Sequence, residues 1–288
     1  MKIFIIGNFV DFTICRIKSP IRWGESCIAS EIKSTIGNDA AIVAIVLAKL
    51  GHPIVYGLLN PLTEVIAHKV KLWRIQIQNL EINNSGGQTF LIEDALGKRT
   101  FISAYGEMNN LYSIPDDAQY IYFDLYDENV PNLEYLMSQL KDREDVCLFF
   151  NLSASAIRDK CCLLNQYNIG TIYIQFSCDK ELAESMIIAV LEILPEAVLI
   201  VTCGDQGSYL AYFGYLEYIP INAIKNDSFL GAGAFFSAFF LNAIFHKQSF
   251  LSAQKYASKN VGILCEKGKD TVLLNTINYL NKECMSFE

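Results

Sequence analysis

The sequence predicts an α/β protein with a mostly parallel central sheet and a small β-rich appendage. Three observations predict it. Short apolar runs alternate with polar, helix-compatible segments along most of the 288 residues, the pattern of parallel strands joined by crossover helices. Two early segments rich in strand-like pieces interrupt that alternation. The composition, 52% hydrophobic and 19% charged, provides for a sizeable buried core.

Taken in order, KIFIIG (Lys2 to Gly7) is apolar, β-branched and closed by glycine, so it reads as a buried first strand. Asp11 follows at its carboxyl side, where open α/β sheets place ligands. From about Phe12 to Ile36 the chain is mixed, with short β-like pieces. GNDAAIVAIVLAKLG (Gly37 to Gly51) predicts a helix that Asn38 or Asp39 caps and Gly51 stops. Its faces are nearly all apolar, so it is buried on all sides. HPIVYGLL supplies the next strand, and PLTEVIAHKVKLWRIQIQNL a helix opened by Pro61. QTFLIEDALGKRTFISA (Gln88 to Ala104) reads as a hairpin turning at Ala95, Leu96 and Gly97. The apolar runs of QYIYFDLYD, VCLFFNLS, IGTIYIQFS and EAVLIVTCGDQGS give four more strands. Ser252 to Leu280 reads as two helices around the turn EKGKD (Glu266 to Asp270). No repeat, low-complexity tract or linker divides the chain.

A net charge of −8 argues against a nucleic-acid partner, since phosphate backbones reward basic surfaces. The nine cysteines form no CxxC, their number is odd, and no secretory signal opens the chain. A reduced, cytoplasmic compartment is expected. The apolar run from Phe229 to Phe245 is shorter than the ~18 to 20 residues of a membrane span and carries Ser237 and Asn242. No membrane association is expected. The three histidines have no metal-ligand spacing, and neither a GxxxxGK[ST] loop nor a GxSxG elbow occurs.

Two glycine motifs remain. TCGDQGS (Thr202 to Ser208) directly follows the apolar run VLIV; a turn there can bring backbone amides and a hydroxyl to a nucleotide, and a plain structural turn is the alternative. In DSFLGAGAFFSAFF (Asp227 to Phe240), GAG heads a strongly apolar helix. Amides without helical partners, together with the helix dipole, attract anions to such an end.

In that order, Asp11, GNDAAIVAIVLAKLG, the hairpin, TCGDQGS and DSFLGAGAFF resemble the ribokinase-like, or PfkB-type, carbohydrate kinases over nearly the whole chain. The resemblance implies a Rossmann-like three-layer ribokinase fold, with a mostly parallel central sheet and a small β lid. Residues 1–288 would form a single domain, with the lid built by segments about 12–36 and 84–105. It implies ATP and Mg²⁺ as cofactors and a sugar or nucleoside as substrate. Asp11, Gly37, Asn38 and Asp39 match substrate-binding positions; Thr202, Gly204 and Gly207 match the nucleotide turn. Gly231, Ala232 and Gly233 match the anion hole, and Ala253 to Gly268 the segment that closes over adenine. A homodimer through the lid is also implied, with FISAYG (Phe101 to Gly106) as a candidate surface.

The sequence departs from that family where a proton must move. The family's GAG is followed by an Asp that deprotonates the acceptor hydroxyl. Aligning GAG with GAG puts Ala234 there; aligning Asp227 with the family's first Asp puts Gly233 there. Asn38 stands where a second glycine is usual, Asp39 where an Asn is usual, and Ile42 replaces a second Asn. The family's N-x-x-E, which helps order Mg²⁺ through water, falls on Phe176 to Asp179. The Asp of its D-x-N strand end falls on Phe149, although Asn151 remains. A general base contributes typically ~10² to 10⁴-fold, so phosphoryl transfer is expected to be weak or lost. Two alternatives stay open: an active sugar kinase whose base is relocated, for example to Asp227, and a non-catalytic regulatory or scaffolding subunit. A dinucleotide-dependent oxidoreductase using GAGAFF is disfavoured, because no buried strand precedes that motif and no acid follows at the required distance.

Overall fold

The computed structural model describes residues 2–267, except 21, 23, 85, 97, 107–111, 127–128, 141–142, 144, 156, 168–169 and 222–229. Chain order begins with β1 (Lys2–Gly7), β2 (Val10–Ile17), β3 (Ala29–Gly37), α1 (Asp39–Lys49), β4 (Ile54–Leu58) and α2 (Glu64–Leu72). It continues through β5 (Gln76–Gln78), β6 (Gln88–Glu93), β7 (Arg99–Ala104), β8 (Ala118–Leu125), α3 (Val130–Leu140), β9 (Cys147–Leu152) and α4 (Ile157–Leu164). Then come β10 (Ile172–Ser177), α5 (Lys180–Leu191), β11 (Val198–Thr202), β12 (Ser208–Tyr212), β13 (Tyr215–Ile219), α6 (Ala232–Phe245) and α7 (Phe250–Lys267).

Nine strands form the central sheet in the order β13-β12-β11-β10-β9-β8-β1-β4-β5. All its pairings are parallel except β11 with β12 and β12 with β13. Because side chains alternate along a strand, β1 sends Ile3 and Ile5 to one face and Phe4 and Ile6 to the other. The first face packs against α1, α2, α6 and α7, the second against α3, α4 and α5. That is a three-layer α/β sandwich. Helices α1 and α6 lie side by side, with Ala40 to Leu47 and Ala234 to Ile244 buried, as their unbroken apolar sequences require.

A second sheet, ordered β3-β2-β6-β7, forms the small lid. Its strands lie within residues 10–37 and 88–104. At the hairpin turn Asp94 Oδ1 accepts from the amides of Leu96 (2.9 Å) and Lys98 (3.0 Å); Gly97 lies outside the described residues.

Two local expectations need correction. The helix predicted from Pro61 to Leu80 occupies only Glu64–Leu72, capped at Thr63. Arg74 then takes φ 60°, which breaks the helix, and Gln76–Gln78 add an edge strand beside β4. Neither Asn38 nor Asp39 caps α1 through its side chain; that amide partner comes from β8, as described below. The hairpin β12–β13 was not predicted. Phe213 and Gly214 both hold positive φ there, the geometry of the tight turns that match strand twist. Helix α7 begins the predicted tail, whose second helix lies outside the described residues. Among those residues no helix is long and apolar enough to cross a membrane, and eight cysteines are free thiols.

Candidate active site

The order β8-β1-β4 reverses direction at β1, and ligands of open α/β sheets bind beyond the carboxyl ends of the strands at such a point. The ends of four adjacent strands there carry Asp124 (β8), Asn151 (β9), Ser177 (β10) and Thr202 (β11). Register pairs Asp124 with Asn151 and Ser177 with Thr202.

A cavity of about 600 Å³ lies past the first two of these ends, where Tyr126 and Ser153 follow Asp124 and Asn151 in the chain. Its lining includes Thr35, Gly37, Asn38, Asp39 and Ile42 from the β3–α1 corner, and Phe12, Ile14, Thr89, Phe101 and Ser103 from the lid. Tyr105, Tyr126, Ser153, Ser155, Leu230 and Gly231 are also in the lining. Among the described residues no Lys, Arg or His lines it. Two buried oxygens of the lining, Thr35 Oγ1 and Asn38 Oδ1, have no hydrogen-bond partner among the described residues, and such groups are rare unless water or a ligand meets them. Asn38 holds φ 84°, a conformation open to glycine and costly for other residues. It sits where the resembled motif has its second glycine.

Beneath the cavity runs a hydrogen-bonded network. Asp124 is fully buried and its Oδ2 accepts from the Ala40 amide at 2.6 Å, which supplies the cap that α1 lacks locally. Its Oδ1 accepts from Tyr122 (3.0 Å) and from Asn151 Nδ2 (3.1 Å). The same Nδ2 reaches Asp39 Oδ2 at 3.0 Å, and Tyr126 donates its hydroxyl to that oxygen. Burial, and secondarily the Asp39 carboxylate, pushes the Asp124 carboxyl up to about 8. Burial beside the same two acids holds Tyr126 well above the ordinary phenol range, so it stays a donor.

A smaller cavity, about 160 Å³, adjoins the other side of the α6 start. Ser177, Thr202, Gly204, Gly207 and Ser208 line it together with Ala232, Gly233 and, from α7, Ser258 and Val261. Thr202 Oγ1 and Ser177 Oγ lie 2.6 Å apart, and Cys203 closes the turn by donating its amide to Gly207 O (2.8 Å). Gly207 is at φ 111°, and a Cβ there would lie 2.3 Å from Ile219 O; only glycine fits. Gly231, at φ 83°, is the N-cap of α6 and has no side-chain capping bond.

The expected residues are therefore distributed over two cavities. Gly37, Asn38, Asp39 and Gly231 meet at the larger; Thr202, Gly204, Gly207, Ala232 and Gly233 meet at the smaller. Asp11 is not in either lining. Its Oδ2 accepts from Thr63 Oγ1 at 3.0 Å, and the neighbours that line the cavity from β2 are Phe12 and Ile14. Ala234 is 1% exposed and lines neither cavity. A Cβ on Gly233 would instead meet Gln175 Nε2 at 3.3 Å and Ser177 Oγ at 3.7 Å. Asp227 lies outside the described residues, as does Gly268 at the end of the expected adenine segment. Phe149 stacks between Tyr122 and Tyr173 in the core. Asp124 and Tyr126 were not singled out from sequence. The signal was a charged residue closing the apolar run YIYFD, but its partners are 84 and 27 residues away.

Comparison with solved structures bears on what this arrangement is. The structure superposes on the ribokinase of Cryptococcus neoformans var. grubii serotype A in complex with ADP with a TM-score of 0.78, at 14% identity and 98% coverage of both chains. The chain has the ribokinase-like, PfkB-type fold. The same fold relates it to the Arabidopsis thaliana ribokinase complexed with ribose and ATP (TM-score 0.70, 16% identity, 97% of this chain and 98% of that one). A Burkholderia thailandensis nucleoside kinase in complex with inosine matches comparably (TM-score 0.72, 16% identity, 98% and 97%). No protein-family model and no curated protein matches the sequence.

Proposed function

We propose that this ribokinase-like protein binds a small, unphosphorylated, hydroxylated ligand, a sugar or nucleoside, in the larger cavity and ATP in the smaller one. Phosphoryl transfer between them is slow. The carrying observation is the start of α6: Gly231 lines one cavity while Ala232 and Gly233 line the other. Its first-turn amides have no helical acceptor, and the helix dipole adds partial positive charge. A phosphoryl group passing between the cavities would be held there.

The lining of the larger cavity favours a neutral ligand. Among the described residues it offers a carboxylate, an unpaired amide oxygen, several hydroxyls and four aromatic rings, but no cation for a phosphate. The turn at Thr202, Gly204 and Gly207 suits a nucleotide because it presents backbone and hydroxyl groups without bulk. Mg²⁺ is poorly provided for. Of the residues matched to its water shell, Phe176 is a core side chain and only Asp179 keeps an oxygen.

Transfer is slow on this reading because neither residue 233 nor residue 234 is a carboxylate. Positioning and electrostatics supply most of phosphoryl-transfer catalysis, so binding and residual turnover outlast the missing base. The test is to incubate the protein with ATP, Mg²⁺ and a panel of sugars and nucleosides, alongside melting shifts with each ligand. Shifts with ATP and with one panel member, at turnover well below the ~1 to 100 per second of kinases, are expected. Ordinary kinase rates would contradict the slow-transfer reading, and no shift with any ligand would contradict the binding reading.

A further inference from the structure

Resting on that reading, we infer that Asp39 is the proton acceptor for the ligand's hydroxyl and carries the residual phosphoryl transfer in place of the carboxylate that α6 lacks. Asp39 is the described carboxylate in the lining of the larger cavity. Its two oxygens have different surroundings. Oδ2 is fixed by Asn151 Nδ2 and by the Tyr126 hydroxyl, whereas Oδ1 accepts no hydrogen bond among the described residues. A base oriented through one atom and open at the other is the arrangement required of a catalytic carboxylate.

Position supports the same role. Asp39 stands in the first turn of α1, where the helix dipole favours its charge. Ile42, one turn further along, packs against the start of α6: a Cβ on Gly231 would lie 2.9 Å from Ile42 Cδ1. A helical turn rises only ~5.4 Å, so a hydroxyl beside Asp39 is also close to the amides that would hold the γ-phosphoryl group. Asp11 offers no such route, because its carboxylate is engaged by Thr63 away from the lining. Asp124 belongs to the network as a positioning residue. It shares the Asn151 amide with Asp39 and anchors the first turn of α1 through Ala40.

In the step itself, Asp39 Oδ1 takes the proton as the O–H bond of the ligand breaks. The ligand oxygen forms a bond to the γ-phosphorus of ATP. The bond from that phosphorus to the β,γ-bridging oxygen breaks, its electron pair leaves with ADP, and Asp39 later returns the proton to solvent.

The experiment measures phosphate transfer from ATP to adenosine and to D-ribose, together with melting shifts for ATP and for each acceptor. Asp39→Asn is expected to lower turnover by ~10²-fold or more while the melting shift with ATP stays near wild type. Adding Gly233→Asp to Asp39→Asn restores transfer, because it returns a carboxylate to the start of α6. If Asp39→Asn does not fold, Asp39→Ser provides the same comparison. Wild-type turnover in the Asp39 variant, or loss of turnover in Asp227→Asn alone, would overturn the assignment. So would a wild-type protein that binds both ligands and transfers nothing, although the binding reading would then stand. Absence of any melting shift defeats the underlying reading instead.

Discussion

Helices α1 and α6 are both buried, both apolar on nearly every face, and both begin at the larger cavity, yet their first turns are provided for differently. At α1, Asp39 stands in the first turn and Asp124 accepts from the Ala40 amide. At α6, the N-cap is a glycine without a capping bond and the first turn holds Ala232, Gly233 and Ala234. One helix start is provided with its own carboxyl groups. The other has no carboxylate in its first turn, and it lies between the two cavities. A helix terminus has the same orphan amides whatever its sequence; what differs is that at α1 a side chain of the protein meets one of them.

The largest expected effect comes from giving α6 a carboxylate. Gly233→Asp places its Cβ 3.3 Å from Gln175 Nε2 and 3.7 Å from Ser177 Oγ, contacts that small shifts and hydrogen bonds accommodate. Turnover is expected to rise by ~10² or more, measured by ADP release. Ala234→Asp buries an unpaired charge in the helix core instead, and is expected to cost roughly 3 kcal/mol or more in chemical denaturation. A variant at 234 that is both stable and faster would reverse this assignment of register.

A second test addresses the α1 end. The Asp124 carboxyl is held above its unfolded value, so its contribution to stability is complete below about pH 4. That contribution is lost as pH rises through about 8. Wild type is therefore expected to lose several degrees of Tm relative to Asp124→Asn between pH 5 and pH 8, in melting curves of the unliganded proteins. Parallel curves would mean that Asp124 does not titrate in this range.

Smaller effects are expected at the nucleotide side. Thr202→Val removes a hydroxyl from the lining of the smaller cavity, and loss of one hydrogen bond of ~1 kcal/mol to a nucleotide there would correspond to roughly fivefold weaker ATP binding by calorimetry. Smallest is the lid's outer face, where Ile32, Phe90 and Ile102 are exposed. If the lid mediates a homodimer, Ile102→Lys shifts the protein to the monomer mass in size-exclusion chromatography with no change in melting temperature.

The fold was legible because its strands and buried helices are continuous apolar runs: KIFIIG, DAAIVAIVLAK and AGAFFSAFFLNAIF each announce burial without knowledge of a partner. Elements whose identity depends on neighbours were not. Gln76–Gln78 is a strand because β4 offers an edge, and the Phe213–Gly214 turn depends on two positive φ values. Around the two cavities, the backbone turns at Gly204, Gly207 and Gly231, all at positive φ, are of the kind that glycines signal in a sequence. Parts built from side chains were less legible. Parity along β2 decides that Phe12 and Ile14, rather than Asp11, line the cavity, and one residue of slip reverses a strand's faces. Asp124 acquires its character only from Asn151 across the sheet and from Ala40 on another helix.

The most direct test of the proposed anion site at the start of α6 is the difference between the melting shifts produced by ATP and by AMP at equal concentration. ATP would reach those amides with its β- and γ-phosphates, which AMP lacks, so ATP is expected to raise Tm by several degrees more. Equal shifts, or a larger shift with AMP, would contradict the account.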